Sequence, residues 1–191
     1  MRVYLVRHGE SETNAAGVWA GWMDAELTKK GKADAVTARK FLEHISFDKI
    51  YASDLKRAIR TAQIALPERQ YETSELLREI NVGDLAGKPL PVMTEEQRDI
   101  VKKSGYEMFH GESQEHFSNR VSQFKKMLEG LDCDTVAVFS HAGWLKNFLN
   151  SVFELCGLQA HIFCGNCAIA VFEYKDSTWK LLNWINPSTI F

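Results

Sequence analysis

Arg7-His8-Gly9 stands where the apolar run Val3-Tyr4-Leu5-Val6 ends. A neutral imidazole nitrogen is a competent nucleophile at neutral pH, and an arginine offers a planar, permanently charged fork that matches phosphate oxygens. A histidine beside an arginine at a strand end can therefore attack phosphorus, and the glycine after it lets backbone approach a ligand closely. Phosphoryl transfer is the chemistry these residue types suggest. Three residues can also meet by chance, with the histidine merely packed, so the rest of the chain must carry the reading.

Three segments, Arg2 to Val6, Lys49 to Ala52 and Thr135 to Phe139, are the short apolar runs expected of parallel strands buried on both faces. After the second, Ser53 reads as a helix N-cap, with Asp54 in the first turn and a helix through Ala65 that stops before Pro67. After the third, Ser140-His141-Ala142-Gly143 leads into Trp144, Leu145, Phe148, Leu149 and Val152 at helical spacing. A further helix is predicted from Ser113 to Gly130, where Phe117, Val121, Phe124, Leu128 and Leu131 form one core stripe. The tail from Ala168 to Trp184 adds two strands, turning at Asp176-Ser177. Alternating strands and helices predict an α/β fold: a three-layer α/β/α sandwich with a mostly parallel central sheet and helices on both faces.

A single domain over 1–191 is expected, with the stretch 88–111 as a specificity insertion over the active site, because Pro89, Pro91, Gly105 and several charges make it the least regular segment. In such sheets ligands bind outside the carboxyl ends of the strands. His8, the Ser53 to Arg57 turn and His141 all fall at such ends. Arg57, placed one turn into its helix, can reach that face, whereas Arg60 points elsewhere. Taken separately, Arg57 also reads as a solvated helix arginine and His141 as a histidine capping its own helix.

Composition narrows the alternatives. With 191 residues, 45% of them hydrophobic and 25% charged, the chain can bury a sizeable core without disulfides, and disorder is not expected to be part of its mechanism. A net charge of -2 gives no electrostatic footprint for nucleic acid or an anionic membrane surface. No run reaches the roughly 18 apolar residues that span a bilayer, and the first residues, with Arg2, Arg7 and His8, lack a signal-peptide pattern. A cytoplasmic location follows as an expectation. Of Cys133, Cys156, Cys164 and Cys167, the last pair has the C-x-x-C spacing of redox or zinc sites, but His161 alone does not complete a ligand set. These cysteines read as reduced, small apolar residues.

The motifs also carry a resemblance. Leu5-Val6-Arg7-His8-Gly9-Glu10-Ser11 with Asn14 resembles the signature of the histidine phosphatase superfamily, in its phosphoglycerate-mutase-like branch. Gly21-Trp22-Met23-Asp24 with Leu27-Thr28 and Gly31, then Ser53-Asp54-Leu55-Lys56-Arg57-Ala58 with Thr61-Ala62, resemble the next blocks of that family. Leu77-Arg78-Glu79 with Gly83 and Gly87, Gly111-Glu112-Ser113 with Arg120, and Ser140-His141-Ala142-Gly143 complete the series in order, so the resemblance runs from Arg2 to about Phe153.

The resemblance implies a ping-pong mechanism in which His8 attacks phosphorus in line and the resulting phosphohistidine is hydrolysed. Arg7, Arg57 and a protonated His141 would surround the transferred group, with Asn14 and backbone N–H groups near Gly9 and Ala142 as further donors. Glu79 would protonate the departing oxygen and later take a proton from water; an ordinary glutamate is ionised at neutral pH, so the role asks for burial or a dianionic neighbour. No metal and no cofactor are expected: two arginines and a histidine supply the neutralising charge, and Asp132 with Asp134 reads as a solvated turn.

The expected partner is a small phosphorylated metabolite. A phosphatase is preferred to a mutase, because the family's mutases carry longer inserts than 88–111; a silent binding module is disfavoured by the full set of motif residues. Lys88, Arg98, Lys102, Lys103 and His110 could bind a second anionic group, as in a phosphoglycerate or phosphoserine. Trp19 and Trp22 could instead form an aromatic wall for a substrate such as ribazole phosphate. A sugar phosphate is equally open, since fold does not fix specificity. The apolar end Ile190-Phe191 leaves a homodimer open.

Overall fold

The computed structural model describes residues 1–90, 92–153 and 163–187. The expectations attached to Pro91, Cys156, His161, Ile190 and Phe191 lie outside the described residues. Six strands, β1 (Arg2–Arg7), β2 (Lys49–Ser53), β3 (Glu72–Ser74), β4 (Thr135–Ser140), β5 (Ile169–Lys175) and β6 (Thr178–Ile185), form one sheet in the order β3-β2-β4-β1-β5-β6. The first four in that order are parallel, and β5 and β6 complete the sheet in antiparallel fashion. Asp176 and Ser177 both take positive φ, 50° and 56°, the twist that a two-residue hairpin requires.

The helices among the described residues are α1 (Glu12–Ala15), α2 (Lys29–Leu42), α3 (Lys56–Ala65), α4 (Glu95–Ser104), α5 (Gln114–Glu129) and α6 (Ala142–Phe153). Successive strand residues point to opposite faces, and each face carries its own core. Val3, Leu5, Val136 and Val138 pack under α5 and α6 with Phe117, Val121, Phe124, Leu128, Trp144 and Phe148. Val6, Ala137 and Phe139 face α2 and α3, where Ala35, Ala38, Leu42, Ala62 and Ala65 allow close helix approach. The fold is thus the three-layer α/β/α sandwich, with a mostly parallel sheet, that the strand and helix alternation predicts.

Three local expectations need correction. Ser53 does not cap α3: it ends β2, the cap position is Leu55 without a side-chain bond, and Arg57 is only the second helical residue. Within the stretch 88–111, where no helix is expected, α4 occupies the middle, opened by a capping box between Thr94 and Gln97 and closed at Gly105. β3 is an extra strand of three residues, too short and polar to read as an apolar run.

Sheet register does the work of assembling the site. Arg7 pairs with Ser140, so His8 and His141 leave neighbouring strand ends side by side. Ala52 pairs with Phe139, so Ser53 is brought level with Ser140 and faces the following histidine.

Candidate active site

His8 is buried, and its Nδ1 lies 2.7 Å from the Gly9 carbonyl oxygen. A carbonyl only accepts, so Nδ1 carries the proton and Nε2 keeps its lone pair. Burial, then the charges of Arg57 and Arg7, hold the ring well below the usual imidazole range, so it is neutral at pH 7. A neutral imidazole with a fixed tautomer is the form a nucleophile needs.

His141 is fully buried with its ring centroid 5.1 Å from that of His8. Its Nε2 lies 2.9 Å from Ser53 Oγ, which is also fully buried. Burial first, then Arg57, push His141 well below its ordinary range as well. The ligand-free ring is therefore neutral, and the protonated form expected around a transferred phosphoryl group needs that anion to favour it.

Arg57 is 1% exposed, and its ends are tied down: Nη2 donates to the Gly21 carbonyl and Nη1 to the Met23 carbonyl, both at 2.7 Å. Burial lowers it to about 10, with Glu79 and Asp24 opposing the shift, so the guanidinium stays charged. Arg7 Nη1 donates to the Cys164 carbonyl at 2.5 Å. Arg60 is exposed and bonds Gln63, away from the site. Among the described residues four buried side-chain nitrogens have no partner, and three belong here: Arg7 Nε, Arg57 Nε and His141 Nδ1. Buried polar nitrogens are normally paired, and the two arginine Nε–H groups can only donate, so this cluster marks a place where an acceptor-rich ligand belongs.

The Glu79 carboxylate accepts from the Ile80 N–H through Oε1 and from the Gly143 N–H through Oε2, both at 3.0 Å. Gly143 and Ala142 form the first turn of α6, whose leading amides have no intrahelical partner and favour negative charge. Ala142 is the first residue of that helix. Gly9 is not positioned as a backbone donor to a ligand: its N–H donates to Thr61 Oγ1 at 2.9 Å. Glycine is required there for another reason, since a Cβ would lie 2.5 Å from the Gly31 carbonyl oxygen. Asn14 Oδ1 accepts from the Ser11 N–H at 3.2 Å and from Asn166 Nδ2 at 3.3 Å, while Asn166 also reaches the His8 carbonyl. Asn14 is therefore held at the edge of the His8 loop.

Sequence reasoning missed roles that act through backbone or support. Trp22 donates Nε1–H to the Glu79 carbonyl at 2.7 Å and stacks under the Arg78 guanidinium, 4.7 Å away. Trp19 is instead edge-to-face with Tyr106, which comes from the 88–111 stretch; burial and then Glu79 push the Tyr106 phenol up to about 12. The cations named as a second anion site are scattered: Arg98 bonds the Met93 carbonyl, Lys102 pairs with Asp99, and His110 with Asp84, while Lys88 and Lys103 are exposed. Cys164 and Cys167 are free thiols that burial pushes up to about 11 and about 12, so they are poor redox groups. Among the described residues no three His, Cys, Asp or Glu side chains gather where they could hold a metal ion, and no helix is long and apolar enough to cross a membrane.

A family model for the histidine phosphatase superfamily (branch 1) matches residues 3–187. The chain belongs to this superfamily. Its relatives carry both phosphatase and mutase names. The adenosylcobalamin/alpha-ribazole phosphatase of Salmonella typhimurium is 33% identical over 154 residues, 76% of each chain. A probable phosphoglycerate mutase GpmB from Salmonella paratyphi A is 28% identical over 194 residues, 97% of this chain and 90% of that one. Among solved structures, YhfR of Bacillus stearothermophilus has 26% identity and a TM-score of 0.84 over 95% of both chains. A phosphoserine phosphatase mutant from Entamoeba histolytica superposes with a TM-score of 0.86 over 100% of this chain and 99% of that one; at 24% identity it speaks for the fold alone.

Proposed function

We propose that this histidine phosphatase superfamily member hydrolyses a small phosphomonoester, without a metal, through a phosphohistidine on His8. The observation that carries the reading is the set of unpartnered buried nitrogens of Arg7, Arg57 and His141 beside a histidine whose Nε2 lone pair is exposed by its tautomer. Phosphate oxygens would take the two arginine N–H donors and, once the anion favours its protonation, the His141 Nδ1–H, with the Ala142 N–H adding a backbone dipole.

In the first step the His8 Nε2 lone pair forms a bond to phosphorus as the ester P–O bond breaks in line. Glu79 gives its proton to the departing alkoxide, and the alcohol leaves. In the second step Glu79 takes a proton from water, the water oxygen bonds to phosphorus, and the P–N bond breaks to release phosphate. Arg7, Arg57 and His141 hold the equatorial oxygens throughout, where the positive charge replaces what a metal supplies in other phosphoryl-transfer sites. A reducing, cytoplasmic setting fits the free thiols of Cys133, Cys164 and Cys167.

Phosphate release from p-nitrophenyl phosphate in excess EDTA, compared with His8→Ala, tests the reading. Release that survives the chelator and is lost in the variant is expected; release abolished by the chelator, or retained in the variant, overturns it. A mutase is the second reading, favoured by the GpmB relatives that match nearly the whole chain. It predicts transfer of the phosphoryl group to another hydroxyl of the same molecule in preference to water.

A further inference from the structure

We infer that Arg120, together with Glu112, is the positioning residue that holds Glu79 in place for proton transfer; the inference rests on the reading of Glu79 as acid and base. Arg120 extends from α5, is 6% exposed, and has all five N–H donors in use. Nε donates to Glu112 Oε1 at 2.7 Å. Nη2 donates to Glu112 Oε2 at 2.9 Å and to the Glu79 carbonyl at 2.8 Å. Nη1 donates to the carbonyls of Arg78 at 2.6 Å and Leu76 at 3.1 Å. The far face of the guanidinium rests on the Phe117 ring, 4.6 Å away.

The three carbonyls run from the 3-10 turn Glu75–Leu77 through Arg78 to Glu79 itself. Glu112 fastens the other side: its Oε2 accepts from the Asn81 N–H at 3.1 Å, and its own N–H donates to the Asn81 carbonyl at 2.8 Å. The backbone is thus clamped immediately before and after Glu79, and the Trp22 indole adds a further bond to the Glu79 carbonyl. From that fixed backbone the carboxylate reaches the Gly143 N–H at the start of α6, two residues after His141.

A buried ion pair is a weak contributor to stability, because removing two charges from water offsets most of their attraction. Positional precision is a better account of this one. A general acid must meet its proton acceptor within hydrogen-bond reach, and a displacement of about 1 Å costs about a hundredfold in rate. Lysine, with one nitrogen and three donors, cannot span Glu112 and three carbonyls, so Arg120→Lys keeps the charge and loses the clamp.

The test compares kcat/KM, which reports the phosphorylation step, for an alkyl phosphate, whose leaving group needs a proton, and for 2,4-dinitrophenyl phosphate, whose leaving group does not. Wild type, Glu79→Gln, Arg120→Lys and the double variant are measured. Arg120→Lys is expected to lose about tenfold to a hundredfold in kcat/KM on the alkyl ester and about threefold or less in kcat/KM on the aryl ester, because kcat/KM reports the first step alone, whereas the second step, with Glu79 as base, is common to both esters. The double variant is expected to be no slower than Glu79→Gln alone, since both changes disable one device. Equal losses on both substrates, or full additivity in the double variant, overturn the role of Arg120. If Glu79→Gln itself shows no difference between the esters, the acid reading fails and the inference falls with it. Glu112→Gln, which keeps volume and removes the charge, is expected to show the same pattern and replaces Arg120→Lys should that variant not fold.

Discussion

The carboxylate of Glu79 lies directly against the backbone of Gly143: the Gly143 N–H donates to Oε2 at 3.0 Å, and a Cβ at position 143 would fall 2.2 Å from Oε1. The atom displaced by such a Cβ is the end of a flexible side chain, so the helix can tolerate alanine while the carboxylate cannot stay. Gly143→Ala is therefore expected to fold with unchanged stability and to lose about tenfold or more in kcat on alkyl phosphates, since proton donation needs hydrogen-bond reach. Steady-state kinetics beside a urea titration check both halves; unchanged turnover would remove the contact from the mechanism.

Arg57 bridges the active-site helix to the Gly21 and Met23 carbonyls while leaving Nε unpartnered. Arg57→Lys keeps a charge but cannot serve two carbonyls and a phosphate at once. A loss of about a hundredfold or more in kcat/KM is expected, the usual result of removing a preorganised donor. Arg57→Ala should also destabilise the fold by about 1–3 kcal/mol for each carbonyl left unsatisfied. Near-normal kinetics in the lysine variant would contradict the assignment.

The two site histidines tie stability to pH. Each is held neutral in the folded chain, its pKa lowered well below 6.5 by burial first and Arg57 next. Below about pH 6.5 the unfolded chain therefore binds protons that the folded chain does not, so stability falls with falling pH by up to about 1.4 kcal/mol per unit for each histidine. Above that pH both contributions are complete. Urea unfolding at about pH 7.5, 6.5 and 5.5 reads the slope, and His141→Gln should remove one share of it. A flat profile across that window would contradict the buried, neutral assignment.

Unpartnered donors should also make inorganic phosphate a ligand. At about a hundred times its dissociation constant, a ligand that binds only the folded state adds about 2.7 kcal/mol. Phosphate or vanadate is expected to raise the melting temperature of the wild type and to do so far less in Arg7→Ala. Equal shifts in both proteins would place the anion elsewhere.

The strand ends were legible because buried parallel strands are continuous apolar runs, and the residues that follow them carry His8, Arg57 and His141. The register that brings those ends together left no mark in the sequence. Ser53 shows the limit well: its type predicted a helix cap, but its hydroxyl faces His141, and α3 starts two residues after Asp54 instead. The α4 helix buries none of its own side chains, so no apolar stripe announced it, although Thr94 and Gln97 formed a readable capping box. Gly143, the carbonyls of Gly21 and Met23, and the amide of Gly9 act through backbone atoms that every residue type shares, so sequence alone could not assign their partners.

The central claim is a covalent bond between His8 and phosphorus. It is tested most directly by quenching the enzyme in alkali during turnover of a phosphomonoester and analysing its peptides by mass spectrometry. A phosphoryl group on the His8 peptide, stable in alkali, lost in acid and absent from His8→Ala, is the expected result. Continued turnover with no phosphoryl group on His8, or with one on another residue, would contradict it.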